Sequence, residues 1–177
     1  MSSAAGPVAR TLPGGAPRPY PQRAWMLGTA LSIALSLAAG GVLPRPLGRD
    51  VSLAVCAAGA AAFVAASLYF IGAKQEMRKA GGGSAFDTPV ARLVTSGPFQ
   101  YTRNPIYVAA LCLNCALAAL LNSAWPLLAA LPWAAYVHLA VIPKEEALLA
   151  RLFPREWQRY SAEVPRWLFR LRHRLSR

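Results

Sequence analysis

The chain has 177 residues, 55% of them hydrophobic and only 15% charged, yet 19 Lys and Arg against 7 Asp and Glu give a formal net charge of +12. Disorder is excluded by the hydrophobicity, and an ordinary soluble domain carries about a quarter of its residues charged. Nucleic-acid binding is argued against by the placement of charge, which is absent from long apolar stretches and crowded between them rather than spread over a polar surface.

In chain order, residues 1–22 hold five prolines and three glycines with no helical apolar periodicity, and read as a flexible N-terminal tail. The first apolar stretch starts late and is long enough for a span, which argues against a cleaved signal peptide. Spans are expected at about 24–43, 51–72, 105–121 and 124–142, because a bilayer core takes roughly 20 apolar residues per helix. The last two come from one uncharged tract, Pro105 to Pro143, broken at Leu121-Asn122-Ser123-Ala124-Trp125-Pro126 into a tight helical hairpin. Asn122 or Ser123 suits the cap of its second helix and Pro126 the first turn. From Lys144 to about residue 175, apolar residues recur at helical spacing among basic ones. This pattern predicts amphipathic helices on the inner leaflet, interrupted at Pro154 and Pro165. Arg170, Arg172, Arg174 and Arg177 are expected to meet anionic lipid headgroups. The expected fold is all-α and polytopic, a single domain over 23–177 with a cytoplasmic C-terminal cap.

Orientation follows from the basic residues. Those in the N-terminal tail, the loop between spans two and three, and the C-terminal segment number 17 of 19, and all three segments lie on one side if there are four spans. The positive-inside rule makes that side cytoplasmic, with both termini inside and the chain integral to the inner (plasma) membrane.

Several features carry no chemistry in this reading. Alanines 54, 58, 62 and 66 form a small-xxx-small stripe for close helix contact. Gly81-Gly82-Gly83 has no strand before it and is a connector rather than a dinucleotide fingerprint. Cys56, Cys112 and Cys115 lie inside spans and read as small, buried, reduced thiols, and no metal site is assigned.

Polar residues gather at the two cytoplasmic edges of the hairpin. The first edge is Thr95-Ser96-Gly97-Pro98-Phe99-Gln100-Tyr101-Thr102-Arg103-Asn104-Pro105-Ile106-Tyr107; the second is Pro143-Lys144-Glu145-Glu146. Taken alone, the first is an entry turn and the second a pair of acids complementing a helix N-terminus. His138, seven residues before Glu145, would share its face on a continuous helix, although Pro143 stands between them as a possible break.

Taken in order, these pieces resemble the membrane methyltransferases grouped around isoprenylcysteine carboxyl methyltransferase and the phospholipid methyltransferases. The resemblance covers about residues 90–170. It rests on Gly97-Pro98-Phe99-x-Tyr101-x-Arg103-Asn104-Pro105-x-Tyr107, the apolar hairpin, Glu145-Glu146-x-Leu148, Phe153, Tyr160 and Val164-Pro165-Arg166-Trp167. Two positions depart from the pattern: Asn104 stands where well-characterised eukaryotic members have His, and Pro154 where Gly is usual.

The resemblance implies S-adenosylmethionine as methyl donor, with ligand roles on Arg103, Asn104, Pro105, Glu145 and Glu146. The chemistry of these side chains suits that ligand. A guanidinium at Arg103 can pair with its carboxylate, and Glu145 or Glu146 can accept from its ammonium or ribose. Tyr101, Tyr107 or Tyr160 can stack on adenine or face the sulfonium, and His138 is a further candidate contact. Glu145 and Arg166 are the candidate catalytic residues, Arg166 holding an acidic acceptor group if it folds back to the pocket. The expected activity is methyl transfer to a lipophilic small molecule, lipid or lipid-modified carboxylate at the cytoplasmic face. The alternatives are a nicotinamide-dependent membrane reductase of the steroid-reductase type and a non-catalytic membrane interaction or transport protein.

Overall fold

The computed structural model describes residues 21–38, 49–81 and 92–168. Every regular element among them is helical: α1 (Pro21–Ala38), α2 (Arg49–Lys79), a short 3-10 turn (Gly97–Gln100), α3 (Pro105–Leu120), α4 (Trp125–Tyr136), a π turn (Val137–Val141), α5 (Ile142–Leu152) and α6 (Pro154–Glu163). Expectations for the first 20 residues, the end of the first span, Gly82-Gly83 and the arginines from Arg170 onward lie outside the described residues.

Two helical runs are long and apolar enough to cross a bilayer, Leu53–Lys79 and the continuous Trp125–Leu152. Only 11% and 22% of their apolar windows are buried within the protein, whereas a soluble core helix would hide most of its length. Leu68, Leu131 and Leu139 all face outward, the arrangement expected where the surrounding solvent is hydrocarbon. Helix α3 has only 16 residues, about 24 Å at 1.5 Å per residue, and α1 has 18. Among the described residues, two candidate spans therefore stand on length and composition.

Helix α2 packs along α3, α3 turns back into α4, and α1 lies along α4. The α2–α3 seam is built on small residues, but not on the expected alanine stripe. Ala54, Ala58 and Ala62 are exposed; the buried positions of α2 are Gly59, Ala66 and Ala73. Spacing by seven drifts about 20° per step around an α-helix, whereas spacing by four drifts about 40°, so the seven-residue row stays longer on a nearly straight neighbour. Gly59 marks the closest approach: a Cβ there would stand 2.8 Å from the Leu120 backbone nitrogen and 3.0 Å from the Ala116 carbonyl oxygen. The Cys56 thiol donates to the Leu120 carbonyl at 3.2 Å. Cys112 and Cys115 are exposed rather than buried.

The α3–α4 hairpin forms as the tract predicts, with Asn122 in the left-handed region (φ 44°), a conformation its short polar side chain tolerates. The cap residue of α4 is Ala124, however, and Pro126 occupies the first turn; Ser123 Oγ reaches the Trp125 backbone N–H only at 3.4 Å. Ser123 instead shares a hydrogen bond with Ser36 at 2.9 Å, tying α1 to the hairpin turn.

Pro143 does not end the fourth helix. The π turn at Val137–Val141 comes immediately before it, and its wider i to i+5 pattern accommodates a residue that cannot donate to the preceding turn. Helix α5 therefore continues to Leu152, ten residues beyond the expected end of the span. Breaks do occur at Pro154 and at Val164-Pro165, as the sequence predicts.

Candidate functional site

The polar edge of α3 begins with a tight turn. Gly97 takes φ +59°, and a Cβ there would lie 2.9 Å from Glu76 Cγ, so a residue without a side chain is needed at this crossing. Glu76 accepts from Ser96 Oγ and pairs with Lys79 at 2.7 Å, fixing the approach of the segment to α2. Pro105 then starts α3, where its missing N–H is of no consequence.

Between those fixed points, Thr102-Arg103-Asn104 is clasped by the segment that follows α6. The Arg103 N–H donates to the Pro165 carbonyl at 3.0 Å. Thr102 Oγ1 and Asn104 Nδ2 both donate to the Arg166 carbonyl, at 2.9 and 3.0 Å, and the Asn104 N–H returns to Thr102 Oγ1 at 3.1 Å. Thr102 is wholly buried. Two irregular stretches far apart in sequence thus satisfy each other's backbone groups, which buried chain without secondary structure requires.

The clasp brings its charged side chains onto Glu146 of α5. Arg166 donates to both oxygens of Glu146, Nε to Oε1 at 3.0 Å and Nη2 to Oε2 at 2.5 Å, in the fork geometry that guanidinium favours. Arg103 Nη1 is 3.4 Å from Glu146 Oε1, and its guanidinium lies over the Trp157 ring, 5.4 Å from the centroid. One carboxylate therefore stands between two arginines in a partly buried setting. Arg103 Nε is buried and has no hydrogen-bond acceptor within the protein. Beside this group, Tyr107 donates its hydroxyl to Glu145 Oε1 at 2.9 Å, across the gap between α3 and α5.

The remaining predicted residues divide. His138 is not drawn towards Glu145; its Nδ1 accepts from Trp167 Nε1 at 3.2 Å. The π turn adds one residue to a helical turn and so rotates the rest of the helix by about 100°, separating two positions that an unbroken α-helix would align. Tyr160 donates to the Phe99 carbonyl at 2.8 Å and packs edge-on to Trp157. Burial pushes its phenol above the usual range, against the opposing pull of Arg103. Tyr101 is 66% exposed and stands apart from the cluster. Three residues gain parts that sequence reasoning did not give them: Thr102 as the buried link of the clasp, Trp157 beneath Arg103, and Trp167 against His138. Their signal was present only as members of a motif or of an apolar stripe.

Fold and site together define a helical membrane protein with a charged, hydrogen-bonded cluster at one end of a helical hairpin. The family model of phospholipid methyltransferase matches residues 53–156, from the first fully apolar turn of α2 into α6. The chain belongs to the phospholipid methyltransferase family, and is a methyltransferase of membrane type. No curated protein and no solved structure gives a match.

Proposed function

We propose that this protein transfers a methyl group from S-adenosylmethionine to a lipophilic acceptor, a lipid or a lipid-modified carboxylate, at the cytoplasmic face of the inner membrane. The observation that carries the reading is the Arg103–Glu146–Arg166 cluster beside Tyr107–Glu145, in which Arg103 Nε is a buried donor with no acceptor in the protein. Buried N–H groups in native proteins nearly always have a partner. A ligand carboxylate would complete this one, while the adjacent Glu145 and Glu146 suit an ammonium or ribose hydroxyl.

When bound, the donor supplies an electrophilic methyl on a sulfonium. The protein's part is positioning and exclusion of water, which suffice for an in-line displacement. Arg103 holds the ligand carboxylate, its guanidinium plane kept flat by Trp157. Glu146, fixed by Arg166 at both oxygens, and Glu145, fixed by Tyr107, present their remaining lone pairs. The sequence reading gives Arg166 to an acidic acceptor; with two nitrogens on Glu146, its part here is to hold that carboxylate in place. Asn104 and Pro105 shape the backbone of the subsite, and Tyr160 stands at its edge as an adenine contact. His138 acts through Trp167, which it orients.

In the same reading α1 and α3 join the two long helices as tilted or locally thinned spans, giving four in all. Both termini then lie inside, and the C-terminal basic residues meet anionic headgroups.

Calorimetric titration of S-adenosylhomocysteine into the purified protein tests this. Saturable binding to wild type is expected, weakened at least tenfold in Arg103→Ala and Glu145→Gln, with NADPH giving no heat. Absence of saturable binding to monodisperse wild type sinks the cofactor assignment; equal affinity in all three removes the site assignment. Transfer of labelled methyl to a total lipid extract identifies the acceptor.

A further inference from the structure

A second feature lies around the corner from the clasp. A cleft of about 250 Å³ opens between the start of α1, the end of α2 and the start of α3. Its existence follows from the packing: α1 takes α4 as its principal neighbour and α2 takes α3, so the two outer helices leave space between them. Three residues that carry nitrogen donors line it: Lys74, Gln22 and Trp25. Gln22 Nε2 and Trp25 Nε1 are both buried and have no acceptor in the protein.

The cleft is layered. Gln22 and Lys74 stand at the end where α1 begins and α2 finishes. Met26 and Phe70, each four residues further into its helix, stand about 6 Å deeper on the same faces. Trp133 and Ala110 continue the apolar wall. Gln22 and Lys74 mark a polar level, Trp25 stands between it and Met26, and hydrocarbon lies below, the layering of an amphiphile with a headgroup rich in acceptors. The remaining wall is Tyr107, whose hydroxyl is on Glu145. One tyrosine thus separates this cleft from the charged cluster.

We propose that the cleft binds a single-chain lipid with an acidic headgroup, a carboxylate or a phosphate, held by Lys74, Gln22 and Trp25 with its chain against Met26 and Phe70. As the subsite of the methyl acceptor it rests on the methyl-transfer reading above; as a lipid-binding site it does not. The headgroup must be acidic because the donors are a cation and two N–H groups. A neutral alcohol would gain little from the ammonium, and a cationic head would be repelled by it.

The test uses full-length protein in neutral maltoside micelles, with oleate, oleoyl phosphate and oleyl alcohol as probes and binding followed by native mass spectrometry. One acid-headed lipid per chain is expected, held at least tenfold more tightly than the alcohol. Lys74→Met should weaken the acid-headed lipid about tenfold and leave the alcohol unchanged, while Lys74→Arg retains binding. Gln22→Leu, on a different helix, should cost a few-fold and keeps the test open if Lys74→Met fails to fold. Preference for oleate or for oleoyl phosphate decides between the two headgroups, and either supports the site. Equal binding of the alcohol, or unchanged oleate affinity in both Lys74→Met and Gln22→Leu, overturns it. Titration of S-adenosylhomocysteine on the same samples separates the two proposals. Selective oleate binding without it leaves the lipid site standing and removes methyl transfer, whereas its binding without oleate selectivity does the reverse.

Discussion

The α2–α3 seam and the clasp at the base of α3 hold the same molecule together by opposite means. Along the seam, contact is made by omission: Gly59, Ala66 and Ala73 have little side chain, so two backbones meet with almost no directional bonding. At the clasp, three hydrogen bonds and a shared carboxylate join two stretches without regular structure. A seam surrounded by hydrocarbon gains nothing from hiding more apolar surface, so close packing is what remains to it. A clasp at the polar end can use charge, and its directionality is what a ligand pocket requires. Shape fixes the helices, and hydrogen bonds fix the chemistry.

The two can be broken separately. The largest effect is expected from Glu146→Leu, which leaves Arg103 and Arg166 facing each other without their common carboxylate. Stability should fall by roughly 3 kcal/mol, because removing one partner strands the others. Binding of S-adenosylhomocysteine should be lost with it, by calorimetry. Gly59→Leu attacks the other region: overpacking of the seam should cost about 1–3 kcal/mol in thermal denaturation. The surviving folded fraction should keep its ligand affinity, since Gly59 is near the far end of α3 from the clasp. Equal loss of affinity in both variants would mean that seam and clasp are one unit rather than two.

Smaller changes sharpen the distinction within the clasp. Thr102→Val removes a buried donor to the Arg166 carbonyl, where Asn104 still donates, and strands the Asn104 N–H, so about 1–3 kcal/mol is expected. Asn104→Ala should cost about 1 kcal/mol, and the pair of changes more than their sum, because the carbonyl then has neither partner. Hydrogen exchange at the Arg103 amide, which is bonded to Pro165, reads the opening directly. The smallest effect concerns pH. Burial raises the Tyr160 phenol above its ordinary value of 10.0. The unfolded chain therefore loses this proton first as pH rises, and stability falls above about pH 10. Melting of Tyr160→Phe should lack that alkaline component, at the loss of the bond to Phe99.

Much of the architecture was legible because hydrophobic runs and prolines act locally. The hairpin at Asn122, the breaks at Pro154 and Pro165, and the polar edges flanking the hairpin all stand where the chain suggests. Pro143 was misleading, because whether a proline ends a helix depends on whether the preceding turn can widen. The alanine stripe was misleading for a related reason, since four alanines mark a possible contact face without naming the partner's axis. The candidate site residues came from the resemblance as a set, and their pairings were not legible there. Nothing in the spacing tells that Glu146 takes both arginines, that Tyr107 takes Glu145, or that His138 takes Trp167.

The sequence by itself determined that this is a helical membrane chain whose charge is confined to the ends of apolar runs, because transfer of each residue into hydrocarbon is a local property of that residue. It also determined family, because the ordered motif survives as text. Only the tertiary structure decided which small residues touch, which arginine meets which carboxylate, and that α1 and α2 stand apart around Lys74, Gln22 and Trp25. Those outcomes depend on helix rotation, and a single π turn, which no residue-by-residue count contains, changes that rotation by a quarter of a turn or more.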